Sequence, residues 1–96
     1  MNLRYSPRAT RDLAAIREYL SGRSPTSATN VMAAIFAAIE FIRRYPRGAQ
    51  KTNIPGVHGK VVNKYRFKIF YRVIDDEGAI EIIHIRHTSR RSWQGE

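Results

Sequence analysis

The segment from Lys64 to Arg91 constrains the fold of this chain most, because apolar and basic residues alternate along it. Successive side chains of a β-strand point to opposite faces. One face of the predicted strand is therefore apolar and carries Tyr65, Phe67, Ile69, Tyr71 and Val73. The other face carries Arg66, Lys68, Phe70 and Arg72. Such a strand buries its apolar side and presents its cationic side, where we expect an anionic partner.

Turn and capping signals divide the rest of the chain into short elements. Ser6-Pro7 and Ser24-Pro25 each place an N-cap residue before a proline at the first helical position, where the missing N–H costs nothing. Apolar residues at helical spacing then predict helices that end near Ser21 and Tyr45. Asp75-Asp76-Glu77-Gly78 predicts a hairpin turn, in which glycine supplies a positive φ.

The order of these elements predicts an α+β fold in a single domain over residues 1–96. Strands are predicted at 2–5, 57–62, 65–74 and 79–87. The order β-α-α-β-β-β implies a helical hairpin packed on one face of a mostly antiparallel four-stranded sheet, with the other face left open. The second helix is expected to bury a stripe formed by Ala28, Val31, Met32, Ile35, Phe36, Ile39 and Ile42.

The charge balance indicates the kind of partner. The chain has 17 Lys and Arg against 8 Asp and Glu, a net charge of +9, which suits nucleic acid or an acidic protein. It has no cysteine, which excludes disulfides and thiolate metal sites. No apolar run approaches the ~20 residues of a membrane span, and the start lacks the apolar region of a secretory signal. We therefore expect a cytoplasmic protein with no membrane partner.

Metal sites and nucleophilic catalysis find little support in the sequence. The histidines are His58, His84 and His87, and no carboxylate cluster accompanies them, so we expect neither a metal nor a cofactor. His84 and His87 are three apart on a predicted strand and therefore face opposite sides. Ser89 and Ser92 lie among arginines, and the sequence shows no Asp–His pairing for them.

The predicted cationic face extends beyond one strand. Lys60 and Val62 are expected to share it with Arg66, Lys68 and Arg72. Both alternating sets of the last strand contain isoleucines, so the sequence leaves open which set faces the helices. Either Arg86 or His87 would extend the face, and Arg90 and Arg91 follow directly. Such a cluster could hold a phosphodiester without a metal, and Phe70 or Trp93 could stack on a base or dock a partner.

These residues resemble the RelE/ParE superfamily of type II toxin–antitoxin toxins. The resemblance spans nearly the whole chain. Its opening and loop motifs are Leu3-Arg4-Tyr5-Ser6-Pro7-Arg8-Ala9, Tyr45-Pro46-Arg47-Gly48 and Ile54-Pro55-Gly56. Its strand motifs are Tyr65-Arg66-Phe67-Lys68-Ile69-Phe70-Tyr71-Arg72-Val73 and Ile83-His84-Ile85-Arg86-His87. The Ser-Pro helix starts, the Tyr-Pro-Arg-Gly exit and the His-x-Arg-His ending are more similar to the ParE branch.

The ParE resemblance implies a toxin that inhibits DNA gyrase without a catalytic group. It also implies a cognate antitoxin, which we expect to be acidic and to form a hetero-oligomer with the toxin. The residues expected to contact the target or antitoxin are Arg66, Lys68, Phe70, Arg72, Arg86, Arg90, Arg91 and Trp93.

Two alternatives stay open at this point. The RelE branch implies a metal-free, ribosome-dependent endoribonuclease of messenger RNA, with Lys60, Lys68, His87 and Arg90 as catalytic candidates. The tyrosine that many such enzymes carry near the C-terminus has no match in Ser92-Trp93-Gln94-Gly95-Glu96. The other alternative is a non-toxic module that binds nucleic acid or protein on the same fold.

Overall fold

Two helices pack on one face of a mixed five-stranded sheet in the computed structural model, which describes residues 1–88. The elements are β1 (Asn2–Tyr5), α1 (Pro7–Ser21), α2 (Pro25–Arg44), β2 (Gln50–Lys51), β3 (His58–Val62), β4 (Phe67–Ile74) and β5 (Ala79–His87). The strand order is β1-β5-β4-β3-β2. Strand β1 runs parallel to β5, and the other neighbours are antiparallel. The predicted α+β class and element order are confirmed, with the short strand β2 added at one edge.

Both helices begin at the predicted caps. The Ala9 N–H donates to Ser6 Oγ at 3.0 Å, and the Ser27 N–H donates to Ser24 Oγ at 3.3 Å. A proline follows each cap. These side chains satisfy backbone donors that have no partner inside the helix. The two Ser-Pro pairs therefore determine where α1 and α2 begin.

The core lies between α2 and the sheet. The predicted stripe of α2 is buried except for Phe36, which is 42% exposed. At 3.6 residues per turn, position 36 falls beside Met32 at the edge of the stripe and turns toward solvent. The sheet side of the core is formed by Val62, Ile69, Tyr71, Ile80, Ile82 and Ile85.

Helix α2 is also long and apolar enough, by length and composition, to cross a membrane. The expectation that no segment approaches this length was therefore wrong. Its apolar residues Ile35 and Ile42 are fully buried inside the fold, which is the arrangement of a core helix.

Tyr71 ties the loop after α2 to the sheet. Its hydroxyl donates to the Pro46 carbonyl at 2.7 Å, and its side chain is fully buried. Burial raises the pKa of Tyr71 above its usual value, because the phenolate would lose its hydration; a hydrogen bond from the Ala49 backbone opposes this in part.

A β-bulge divides β5 into two parts that face differently. Tyr71 lies opposite Ile82, and the next pair is Phe70 with His84, so Ile83 is an extra residue in β5. Ile80 and Ile82 join the core before the bulge, and Ile85 joins it afterwards. This answers the question that the sequence left open: each alternating set contributes to both faces.

Candidate functional site

The sheet face opposite the core, here the open face, collects side chains from four strands. Residues directly opposite each other in neighbouring strands share a face. The registers therefore place there Arg4 of β1, Val61 of β3, Lys68, Phe70 and Arg72 of β4, and Glu81, His84 and Arg86 of β5. The predicted side for Lys68, Phe70 and Arg72 is confirmed, and the bulge brings Arg86 to them.

Acidic residues gather at one end of this face, near the β4–β5 turn. Glu81 Oε1 lies 3.8 Å from Arg72 Nε, and Glu77 Oε1 lies 2.6 Å from Arg4 Nη1. In the same turn, Asp75 accepts hydrogen bonds from Arg47 at 2.7 and 2.8 Å. The cations at this end are therefore locally balanced. Arg72, a predicted contact residue, belongs to this balanced end.

The opposite end, here the cationic end, consists of Lys64, Arg66, Lys68 and Arg86. Lys68 lies directly opposite Arg86 in the β4–β5 register, and like charges in that position repel. Lys64 and Arg66 are exposed in the turn before β4, which spans residues 63–66. The Arg66 carbonyl accepts a hydrogen bond from the Thr88 N–H at 2.6 Å, so this turn stays beside the end of β5.

Lys68 lies along the sheet surface rather than extending straight from it. Its Nζ is 5.4 Å from the centre of the Phe70 ring. A Cβ at Gly59 would stand only 2.5 Å from Lys68 Cε, so the glycine leaves the space that the lysine stem occupies. Phe70 beneath it is only 5% exposed. The predicted role of Phe70 as an exposed stacking ring is therefore not supported by its burial.

Lys60 and Val62 lie on the core side, and their predicted placement on the exposed face was wrong. The register pairs Lys60 with Ile69 and Val62 with Phe67, and Val62 is 2% exposed. Lys60 Nζ instead lies 4.2 Å from the centre of the Phe41 ring on α2, a cation–π contact. Val61 and Val62 are both apolar, so only the pairing with β4 decides which one is buried.

The ribonuclease candidates do not converge in the described part of the chain. His87 lies on the core side, where its ring meets Phe67 edge-on at 5.2 Å between centres. Lys60 shares that side, whereas Lys68 lies on the open face. Arg90 lies outside the described residues, as do the other predicted tail residues, Arg91 and Trp93.

An Asp–His pair lies at the edge of the open face, where sequence reasoning did not find one. His84 Nδ1 is 2.7 Å from Asp12 Oδ2, and the Ile85 N–H donates to the same oxygen at 2.9 Å. His84 is 6% exposed and stacks on Phe70, with 5.8 Å between ring centres. The partners are 72 positions apart, so no local pattern signals the contact.

Helix α1 borders β5 where β1 has ended. Besides the Asp12 contacts, Ser6 Oγ donates to the Ile83 carbonyl at 2.7 Å. Ser6, the N-cap of α1, and Asp12 thus satisfy backbone groups at the bulge and just after it. No cluster of three or more metal-binding side chains occurs among residues 1–88.

Comparison with solved structures supports the fold assignment. The chain of the "Chromosomal ParDE TA system from P. aeruginosa" superposes with a TM-score of 0.77 at 24% identity, covering 91% of this chain and 95% of that one. The "YoeB/ParE toxin from Agrobacterium tumefaciens" gives 0.64 at 17% identity, covering 91% and 98%. A chain of the "intact E. coli RelBE toxin-antitoxin complex" gives 0.61 at 14% identity, covering 93% and 98%.

The sequence itself carries the family assignment. A comparison with curated proteins gives no match. The family model for the "ParE toxin of type II toxin-antitoxin system, parDE" matches residues 3–92, nearly the whole chain. The chain therefore belongs to the ParE family of type II toxin–antitoxin toxins.

Proposed function

We propose that this chain inhibits DNA gyrase and is neutralised by a cognate acidic antitoxin. Membership of the ParE family supports the toxin role. The observation that carries the proposal further is the separation of charge on the open face. The acidic residues of the sheet lie at the β4–β5 turn, while Lys68 and Arg86 stand opposite each other at the other end.

The cationic end is the surface proposed for target contact. Lys68 and Arg86 lie directly opposite each other in neighbouring strands, so a single anionic group of a partner could contact both side chains. Inhibition by binding alone requires no general acid or base, which agrees with the separation of Lys60 and His87 from Lys68.

An acidic, amphipathic segment is the proposed antitoxin partner. Beside Lys68 on the open face lies Val61, which is 50% exposed. On the flank of α2, the partly exposed rings of Phe41 and Tyr45 lie 5.1 Å apart, next to Lys60. Both places combine a cation with apolar surface. A segment with carboxylates and apolar side chains would satisfy both as it folds on binding.

The test is plasmid supercoiling by gyrase with purified toxin, beside a cell-free translation reaction probed for messenger cleavage. We expect loss of supercoiling and intact messenger. The variant Lys68→Gln with Arg86→Gln should relieve inhibition. The matched control, Arg11→Gln with Arg23→Gln, removes the same charge from exposed positions on α1 and in the turn between the helices and should inhibit fully.

Three results would contradict the proposal. Messenger cleavage with untouched gyrase would assign the chain to the ribonuclease alternative. Equal loss of inhibition in both double variants would mean that net charge, rather than the cationic end, acts on gyrase. A protein inert in both reactions, and harmless on expression, would be a binding module that has kept the fold.

A further inference from the structure

We propose that the cationic end binds the phosphate backbone of duplex DNA, so that the toxin contacts the DNA held by gyrase as well as gyrase itself. This inference rests on the proposed function for its biological setting. The binding site consists of Lys64, Arg66, Lys68 and Arg86, and it would recognise phosphates without reading base sequence.

Geometry brings these cations together from three chain segments. Lys68 and Arg86 come from neighbouring strands at one level of the sheet, where opposite Cβ atoms stand roughly 5 Å apart. Arg66 and Lys64 are exposed in the turn that the Thr88–Arg66 hydrogen bond holds beside β5. A strand rises about 3.3 Å per residue, so these two cations lie within several ångströms along the chain from Lys68.

The bulge in β5 is what adds Arg86 to these cations. With strict alternation from Ile82, residues 84 and 86 would both point into the core, and Ile85 would face solvent. The extra residue at Ile83 reverses this assignment. Bulges near binding sites commonly redirect a side chain in this way.

The surface around the cations favours DNA over the gyrase protein as the target that this end binds. Tight protein interfaces centre on exposed aromatic or large apolar anchors. Here the aromatic residue Phe70 is buried beneath Lys68 and against His84. Val61 is the large hydrophobic side chain of β3 that stays exposed on this face. Phosphate contacts need cations and no such anchor.

Fluorescence anisotropy of a labelled DNA duplex, measured over a salt series without gyrase, tests the proposal. Each phosphate contact contributes about −0.9 to the slope of log K against log salt. Lys68→Gln and Arg86→Gln should each reduce the slope magnitude by about 0.9. The control Arg23→Gln makes the same charge change at the tip of the helical hairpin and should keep the slope of the unaltered toxin.

Failure of this inference can be told apart from failure of the proposed function. If the toxin inhibits gyrase but does not bind the labelled duplex at low salt, the proposal of DNA binding is overturned and the proposed function is not. If the toxin then captured DNA-free gyrase in a Lys68-dependent way, the ligand would be acidic protein. Equal slope changes in Lys68→Gln and Arg23→Gln would overturn the location. Duplex binding with the expected slopes but normal supercoiling would support the inference and remove the gyrase proposal.

Circular dichroism and thermal unfolding of each variant complete the design. Lys68 and Arg86 are half-buried and glutamine keeps most of their side-chain length, so these substitutions should change stability by no more than about 1 kcal/mol. A variant that unfolds is replaced by Lys68→Met or Arg86→Met, which keep an apolar stem of similar length. A folded Lys68→Met that binds DNA with an unchanged slope would overturn the role of Lys68.

Discussion

Asp12 of α1 and His84 of β5 meet at 2.7 Å, and the same carboxylate oxygen accepts the Ile85 N–H at 2.9 Å. One side chain thereby satisfies two polar groups beside the bulge. The contact joins the first helix to the last strand, and it lies next to the residues that form the cationic end.

Replacing Asp12 by alanine should destabilise the fold by about 2–4 kcal/mol, because the His84 ring and the Ile85 N–H both lose their acceptor in a mostly buried place. For a domain of this size, each kcal/mol lowers the melting temperature by roughly 4–8 °C. Thermal unfolding measures the change. Asp12→Asn keeps one carbonyl oxygen as an acceptor and should therefore lose less stability. Glu18→Ala, on the exposed side of α1, should change stability little. A loss below 1 kcal/mol in Asp12→Ala, as for a surface site, would contradict this role.

The two helix caps should differ in strength. Ser6 and Ser24 both accept an N–H at the helix start, but Ser6 also donates to the Ile83 carbonyl. Ser24→Ala should cost about 1 kcal/mol, and Ser6→Ala about 1 kcal/mol more because the Ile83 bond is lost as well. Denaturant titration of the two variants provides the comparison. Equal losses would show that the Ser6–Ile83 bond contributes nothing to stability.

Tyr71 should make the protein sensitive to alkali. Its pKa is raised in the folded state by burial, from an ordinary value of 10.0. The neutral phenol therefore contributes stability fully below about pH 10, and this contribution is lost as pH rises through the folded-state pKa. Tyr71→Phe should be less stable at pH 7 by about 1 kcal/mol, since the Pro46 bond is absent. Its stability should then fall less steeply above pH 10.

The measurement for Tyr71 is the free energy of unfolding in urea at several pH values. Tyr45→Phe is a suitable control, because its ring is partly exposed. Parallel stability curves for Tyr71→Phe and the unaltered protein above pH 10 would contradict the assignment.

Gly59→Ala should weaken target binding more than it weakens the fold. The new Cβ would approach Lys68 Cε to 2.5 Å, and the flexible lysine must leave its place over Phe70. Because a lysine can move at small cost, we expect a stability change within about 1 kcal/mol. Supercoiling inhibition and the DNA salt slope should shift toward those of Lys68→Gln. If Gly59→Ala kept the supercoiling inhibition and the salt slope of the unaltered toxin, the position of Lys68 over Phe70 would not matter for target binding.

Local chemistry made the helices and the main hairpin predictable. The Ser-Pro starts, the turn with Gly78 in the left-handed region at φ 58°, and the alternation in β4 each act over a few residues. Burial of Tyr71 and Ile69 follows from that alternation. The face of Lys68 and Arg72 was predictable for the same reason.

What escaped prediction depends on partners that are distant in the chain. The side of Lys60 is set by pairing with β4, since the consecutive apolar residues Val61 and Val62 of β3 give no alternation that would decide it. The place of Arg86 is set by a bulge whose backbone groups at Ile83 and Ile85 bond to Ser6 and Asp12, more than 70 positions away. Strand β2 arises from pairing of two polar residues with β3, which leaves no hydrophobic pattern in the sequence.

The extra residue at Ile83 makes the surface of this sheet depend on strand pairing as well as on composition. If β5 kept its length but had no bulge, Ile83 would lie opposite Phe70, and Ile85 and Arg86 would exchange their surroundings. Deleting Ile83 would instead give a regular strand that keeps Ile85 and Arg86 on their present faces. Among related toxins, a gap of one position at this point is therefore compatible with the same cationic end, whereas a last strand of this length without the bulge would present a different surface.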